Sequence, residues 1–250
     1  MAVLLDLDNT VFDSIGIYEF TIREMEKKAK TLGFSSSKEF KKVYDIVRAE
    51  VKKELPNNPV NRLRILYFKK MSELIFGKLD PAFVLKLDST YFGFFLQGIK
   101  DWKKKNATEF KKILSLLKAL QEVQNLVVIT NESLRTQLLK LSVLFPKDIQ
   151  YKLVTSEESG AEKPSALIFD KALTDADPKK SYIIGDSLKD DIGGGLAFGL
   201  EAFYLKSPIS SAKTKSVLEK KSLEGKEYWE SPDLSSALNY ILSLEKGIVL

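Results

Sequence analysis

The stretch LLDLDNTVFDS, residues 4–14, sets two carboxylates two positions apart where an apolar run stops. Asp6 and Asp8 are followed by an Asn-Thr pair, with Asp13 close behind. If the run is a strand, alternate side chains share a face, and the spacing brings two negative charges together. At ~5 Å and an effective dielectric of ~20, two unit charges repel by roughly 3 kcal/mol, a large part of a domain's net stability. Either the carboxylates diverge into solvent or something positive sits between them.

Composition narrows what chemistry these acids can serve. The 250 residues, 44% of them hydrophobic, suit one large globular domain or two unequal ones. There is no Cys and no His, which excludes thiol nucleophiles, disulfides, Ser-His-Asp triads and the usual zinc sites. Acid–base work falls to carboxylates, Lys or Tyr. The N-terminal apolar stretch is interrupted by Asp6, carries no basic leader, and no apolar run approaches the roughly 20 residues that span a bilayer. A cytoplasmic protein with no membrane partner is the expectation. The formal charge of +5 is uneven, since residues 14–100 hold 17 Lys and Arg against 10 Asp and Glu. Those cations are spread along helical stretches and read as a solvated surface, so no nucleic-acid partner is expected.

Between Ser14 and Ile99 no strand pattern is visible. Turns at GFSSSKEF, LPNNPVN and GKLDP divide the segment into four helices with no sheet to cover, which predicts a small bundle of its own. From WKKKNATEF onward, helical stretches alternate with the short apolar runs NLVVIT, YKLVTS, SYIIGD and EAFYLK, before SSALNYILSLE closes the pattern. With AVLLDLD as a further strand, this predicts an α/β fold, a doubly wound parallel sheet interrupted by an all-helical insertion. The expected division is an α/β core of residues 1–13 and 101–250 and a helical segment of residues 14–100.

In such sheets ligands bind beyond the carboxyl ends of the strands. The ends of the expected strands carry Asp6 and Asp8, then Thr130 and Asn131, then Asp186 with Asp190 and Asp191 just beyond, while Lys163 lies in the loop after YKLVTS. Singly, each suits a cap or a surface position. Three carboxylates at one rim call for a cation, and an all-oxygen set suits Mg²⁺.

The ordered stretches DLDNTVFDS, VVITN, EKPSALIF and IIGDSLKDDIGGG resemble the four motifs of the haloacid dehalogenase-like (HAD) hydrolase superfamily, and the helical insertion resembles that family's cap domain. The resemblance implies a Rossmann-like core and an aspartyl-phosphate mechanism. Asp6 would be the nucleophile and Asp8 the general acid and base. Thr130 and the Asn131 amide would contact the phosphoryl group, with Lys163 balancing charge and holding Asp6. Mg²⁺ would be held by Asp6, the backbone carbonyl of Asp8 and Asp186, with Asp191 steadying a bound water and Asp190 as its alternative. An acid at position 8 resembles the members that cleave phosphate esters, whose leaving group needs a proton. The implied activity is a Mg²⁺-dependent phosphatase acting on a small phosphorylated metabolite; a phosphomutase of the same superfamily and a phospho-acceptor signalling module are the alternatives.

Two further features have local readings. IGGGLAFG lacks the Gly-x-Gly-x-x-Gly spacing and reads as close packing of a helix start against the sheet. Arg62 and Arg64 carry the right charge for an anionic substrate, but in isolation they read as surface residues.

Overall fold

Every residue of AVLL is buried, as expected of a strand covered on both faces, and it forms β1 (Ala2–Leu5) in the interior of a seven-stranded sheet. The computed structural model describes residues 1–209 and 217–245. The core expected over 101–250 includes residues 210–216 and 246–250, which lie outside that description.

After β1 the chain enters four helices. α1 (Ser14–Lys27) is capped by Asp13, whose carboxylate accepts from the Gly16 amide at 2.8 Å. α2 (Ser37–Glu54) starts at Ser36, which accepts from the Glu39 amide while Glu39 reaches back to the Ser35 amide. α3 (Arg64–Phe76) stops at Gly77, and α4 (Pro81–Lys105) starts at Asp80 with Pro in its first turn. The breaks coincide with the turn-rich stretches. α2 buries Phe40, Val43, Tyr44, Val47 and Val51, one helical face. α4 packs on α1 and α3 through a face that includes Leu87, Tyr91 and Phe95. It runs unbroken through Lys100 to Lys105, so one helix joins the bundle to the body.

The body then alternates α5 (Ala107–Gln121), β2 (Asn125–Thr130), α6 (Leu134–Leu144), β3 (Lys152–Thr155), the single-turn α7 (Ser156–Ser159), α8 (Ala166–Ala172) and β4 (Tyr182–Gly185). A π-turn at Leu188–Gly193 leads into α9 (Gly194–Ala197), followed by β5 (Glu201–Leu205), β6 (Glu219–Leu223), β7 (Lys226–Ser231) and α10 (Leu234–Glu245). The strand order is β3-β2-β1-β4-β5-β7-β6. Strand order reverses between β1 and β4, the switch point where such sheets open a crevice.

Alternation within the strands divides the core. Val3, Leu5, Val128, Ile184 and Phe203 join α5, α10 and the buried rings of the helical bundle on one face. Leu4, Val127, Ile129, Ile183 and Ala202 pack under α8 and α9 on the other. Each fully buried side chain of this size contributes roughly 1.5–3 kcal/mol. The glycines of IGGG serve this packing: a Cβ on Gly195 would meet Ile183 Cγ2 at 2.4 Å.

The sheet departs from the expected parallel one at an edge. β6 and β7 form a hairpin in which β7 runs parallel to β5 and β6 antiparallel to β7. Its Glu224-Gly225 turn has φ of 50° and 81°, the left-handed pair a two-residue hairpin needs. EKKSL is almost wholly exposed, so no apolar run announces it. No helix among the described residues is long and apolar enough to cross a membrane.

Candidate active site

Register brings the strand ends level. Leu5 pairs with Val128 of β2 and Ile184 of β4, and the Asp6 amide continues the ladder to the Ile184 carbonyl at 3.0 Å. Asp6, Thr130 and Asp186 therefore emerge at one rim. The chain then turns sharply at Asn9, whose φ of 59° is left-handed, a conformation Asn tolerates. The Asn9 side chain accepts from Ser14 Oγ and the Ile15 amide, tying the turn to α1.

The two opening carboxylates do not face one another unpaired. Each has its own lysine. Lys163 Nζ donates to Asp6 Oδ1 at 2.7 Å, to Asp191 Oδ1 at 2.6 Å and to the Ile129 carbonyl at 3.1 Å. Thr10 donates to the other Asp6 oxygen at 2.9 Å. Lys140, fully buried on α6, donates to both oxygens of Asp8 at 2.7 Å, and Gln137 adds a bond at 3.0 Å.

Asp6, Asp186 and Asp191 each direct a carboxylate oxygen into one cluster, all within 4.8 Å of one another. Asp190 is outside it, at the cavity wall. Asp191 can tuck in because residue 185 is Gly; a Cβ there would lie 2.2 Å from Asp191 Cγ. The Ser187 amide donates to the second Asp191 oxygen at 3.0 Å. Burial pushes Asp6 up to about 8 against the pull of Lys163, with Asp191, Asp186 and Asp8 adding to the rise. Asp186 is pushed up to about 6, by burial first and then by Asp191. Burial would raise Asp8 as well, but the Lys140 charge and the surrounding hydrogen bonds hold it below its ordinary value. Three crowded carboxylates with one lysine leave net negative charge in a buried place, and this all-oxygen donor set fits a hard divalent cation such as Mg²⁺.

Thr130 is buried at the end of β2, and its hydroxyl accepts from Gln137 Nε2, leaving its own proton free for a ligand. The Asn131 side chain is committed elsewhere. It donates to the Lys163 carbonyl at 3.1 Å and accepts from the Lys163 amide at 2.6 Å, which fixes the loop carrying that lysine. Lys140 and Gln137 escaped the sequence reading. Their signal was a polar face, Ser133, Thr136, Gln137 and Lys140, at helical spacing in a segment that has to pack on the sheet.

These groups open into a cavity of about 730 Å³ that runs from the carboxylate cluster to α1, α2 and the 59–64 turn. Arg62 lines it and pairs with Glu162 at 2.6 Å.

A model of the haloacid dehalogenase-like hydrolases matches residues 1–199. The chain belongs to that family. A ribulose-1,5-bisphosphate 5-phosphatase from Halopiger xanaduensis is 31% identical over 222 residues, 86% of this chain and 88% of its own length. A glyceraldehyde 3-phosphate phosphatase from Methanothermobacter thermautotrophicus is 24% identical, covering 89% and 92%. In fold, this HAD hydrolase resembles the HAD phosphatase from Thermococcus onnurineus, with a TM-score of 0.62 at 17% identity over 96% of this chain and 97% of the other.

Proposed function

We propose that this phosphoric monoester hydrolase is a Mg²⁺-dependent phosphatase acting on a small phosphorylated metabolite through an aspartyl-phosphate on Asp6. Residues 14–100 act as a helical cap over a core formed by residues 1–13 and 101–250. The observation that carries this reading is Asp6 itself: a buried carboxylate pinned by Lys163 and Thr10, clustered with Asp186 and Asp191, at the floor of a cavity roofed by helices.

In the first half-reaction an Asp6 oxygen attacks phosphorus, the bond from phosphorus to the ester oxygen breaks, and Asp8, which has to take up a proton against the pull of Lys140, delivers it to the departing alkoxide. In the second, Asp8 takes a proton from water as the water oxygen attacks phosphorus, releasing inorganic phosphate and restoring Asp6. The Thr130 hydroxyl and the Asn131 amide donate to phosphoryl oxygens, while Lys163 keeps Asp6 oriented and balances charge. Asp6, the Asp8 carbonyl, Asp186 and Asp191 would hold Mg²⁺, which when bound offsets their mutual repulsion and stabilises charge on a phosphoryl oxygen. The helices above the cavity limit water to what the second step uses.

Phosphate release from p-nitrophenyl phosphate is expected with Mg²⁺ and absent in EDTA, with Asp6→Asn reducing turnover about a thousandfold or more. Full turnover in chelator, or an active Asp6→Asn protein, contradicts the reading.

A further inference from the structure

The roof of the cavity carries an imbalance that the chemistry of the floor does not use. Most cations lining the cavity are already paired. Arg23 pairs with Glu19, Lys41 with Asp45, Arg62 with Glu162, and Lys163 with Asp6 and Asp191. Arg48, Lys52 and Arg64 line the same cavity and have no carboxylate partner among the described residues. Lys52 is held below its ordinary value, by burial first and then by Arg48, Arg62 and Arg64, so these cations crowd one another.

Arg64 is the fixed member. Its Cζ lies 5.0, 5.4 and 5.9 Å from the ring centres of Tyr18, Tyr67 and Tyr91. Its Nε donates to the Tyr91 hydroxyl at 3.1 Å and its Nη1 to the Arg62 carbonyl at 2.6 Å, while Nη2 makes no hydrogen bond among the described residues. Glu132 lines the same cavity and its charge acts on Arg64, but its oxygens accept from the Tyr18 hydroxyl and the Ser133 amide, each at 3.0 Å, and it forms no ion pair with Arg64. A guanidinium held rigidly by rings, with a free donor edge and unpaired cations nearby, is built to receive an anion. An anion there also relieves repulsion among the cations.

We propose that Arg64, with Arg48 and Lys52, forms a second anion subsite that binds a phosphate or carboxylate of the substrate remote from the phosphate being cleaved. The substrate class is then a small metabolite with two anionic groups. This rests on the floor being the phosphate-cleaving end.

Two matched pairs test it: ribulose 5-phosphate against ribulose 1,5-bisphosphate, and glycerol 3-phosphate against 3-phosphoglycerate. For the wild-type protein, kcat/KM is expected to favour the doubly anionic member of at least one pair by about 10- to 100-fold, chiefly through KM, the range of one or two charge-assisted hydrogen bonds. A preference in the first pair alone assigns the subsite to phosphate, and one in the second alone to carboxylate. Arg64→Gln should bring that ratio towards one. Because Arg64 packs among rings, Arg48→Gln at the exposed face of α2 provides an independent variant, expected to lower the same ratio by less. Calorimetric binding of the pairs to the Asp6→Asn protein reads the subsite without turnover. Equal affinity for both members of both pairs, or variants that weaken single and double anions alike, overturns the proposal. Absence of phosphate release from every compound counts against the phosphatase reading alone, because the binding comparison still decides the subsite.

Discussion

The floor and the roof of the cavity have opposite charge and opposite construction. On the floor, Asp6 and Asp186 follow strand ends whose register is set by backbone ladders, Asp191 comes from the π-turn just beyond, and buried lysines hold Asp6 and Asp8 in place. On the roof, Arg48 and Lys52 extend from the exposed side of a helix, while Arg64 is held by rings instead of carboxylates. Fixed dipoles and charges suit an end where bonds are made and broken, because they need no reorganisation during the reaction. Long side chains on helices can adjust to the shape of a ligand.

The difference predicts a hierarchy of stability effects. Lys163→Met should cost most, about 3–5 kcal/mol by urea unfolding in chelator, because it strands two buried carboxylates. Lys140→Met should cost less, about 1–3 kcal/mol, because Asp8 also opens to the cavity and keeps Gln137. A reversed ranking would mean that Asp8, not Asp6, is the more deeply committed acid.

A pH series sharpens the same contrast. With no cation bound, burial pushes Asp6 up to about 8 and Asp186 up to about 6, against an ordinary value of 3.8. Groups with raised folded values stabilise the fold at low pH and lose that contribution as pH rises through those values. In EDTA the melting temperature should therefore fall between pH 5 and pH 8, and the gain on adding Mg²⁺ should grow over the same interval. A flat profile in EDTA would place the negative charge of the floor elsewhere. The roof gives the smallest effect: Arg48→Ala and Lys52→Ala should each change stability by less than about 0.5 kcal/mol, since neither side chain has an ion pair among the described residues. Losses near those of the floor would show that the roof is structural.

How much could be read in advance depends on where the signal lies. NLVVIT announces β2 because a strand covered on both faces is continuously apolar, and GKLDP announces the start of α4 because Asp and Pro have fixed places at a helix N-terminus. EKKSLEGKEYWES does not announce its hairpin, since an exposed edge strand can be built from charged residues. Lys140 was hidden for another reason. A lysine in LLKLSV looks like any helix surface residue until the helix is packed and that face turns inward.

The sequence by itself determined which groups end the strands and in what order, because a side chain at the end of a strand is located by the few residues before it, while pairing between distant strands brought those ends level. Tertiary structure alone decided which lysine meets which aspartate. Lys163 reaches Asp6 across 157 positions and Lys140 reaches Asp8 across 132. It also decided which roof cations meet a carboxylate among the described residues. Charge pairing over such distances is a property of packing between separate elements, which local periodicity does not encode.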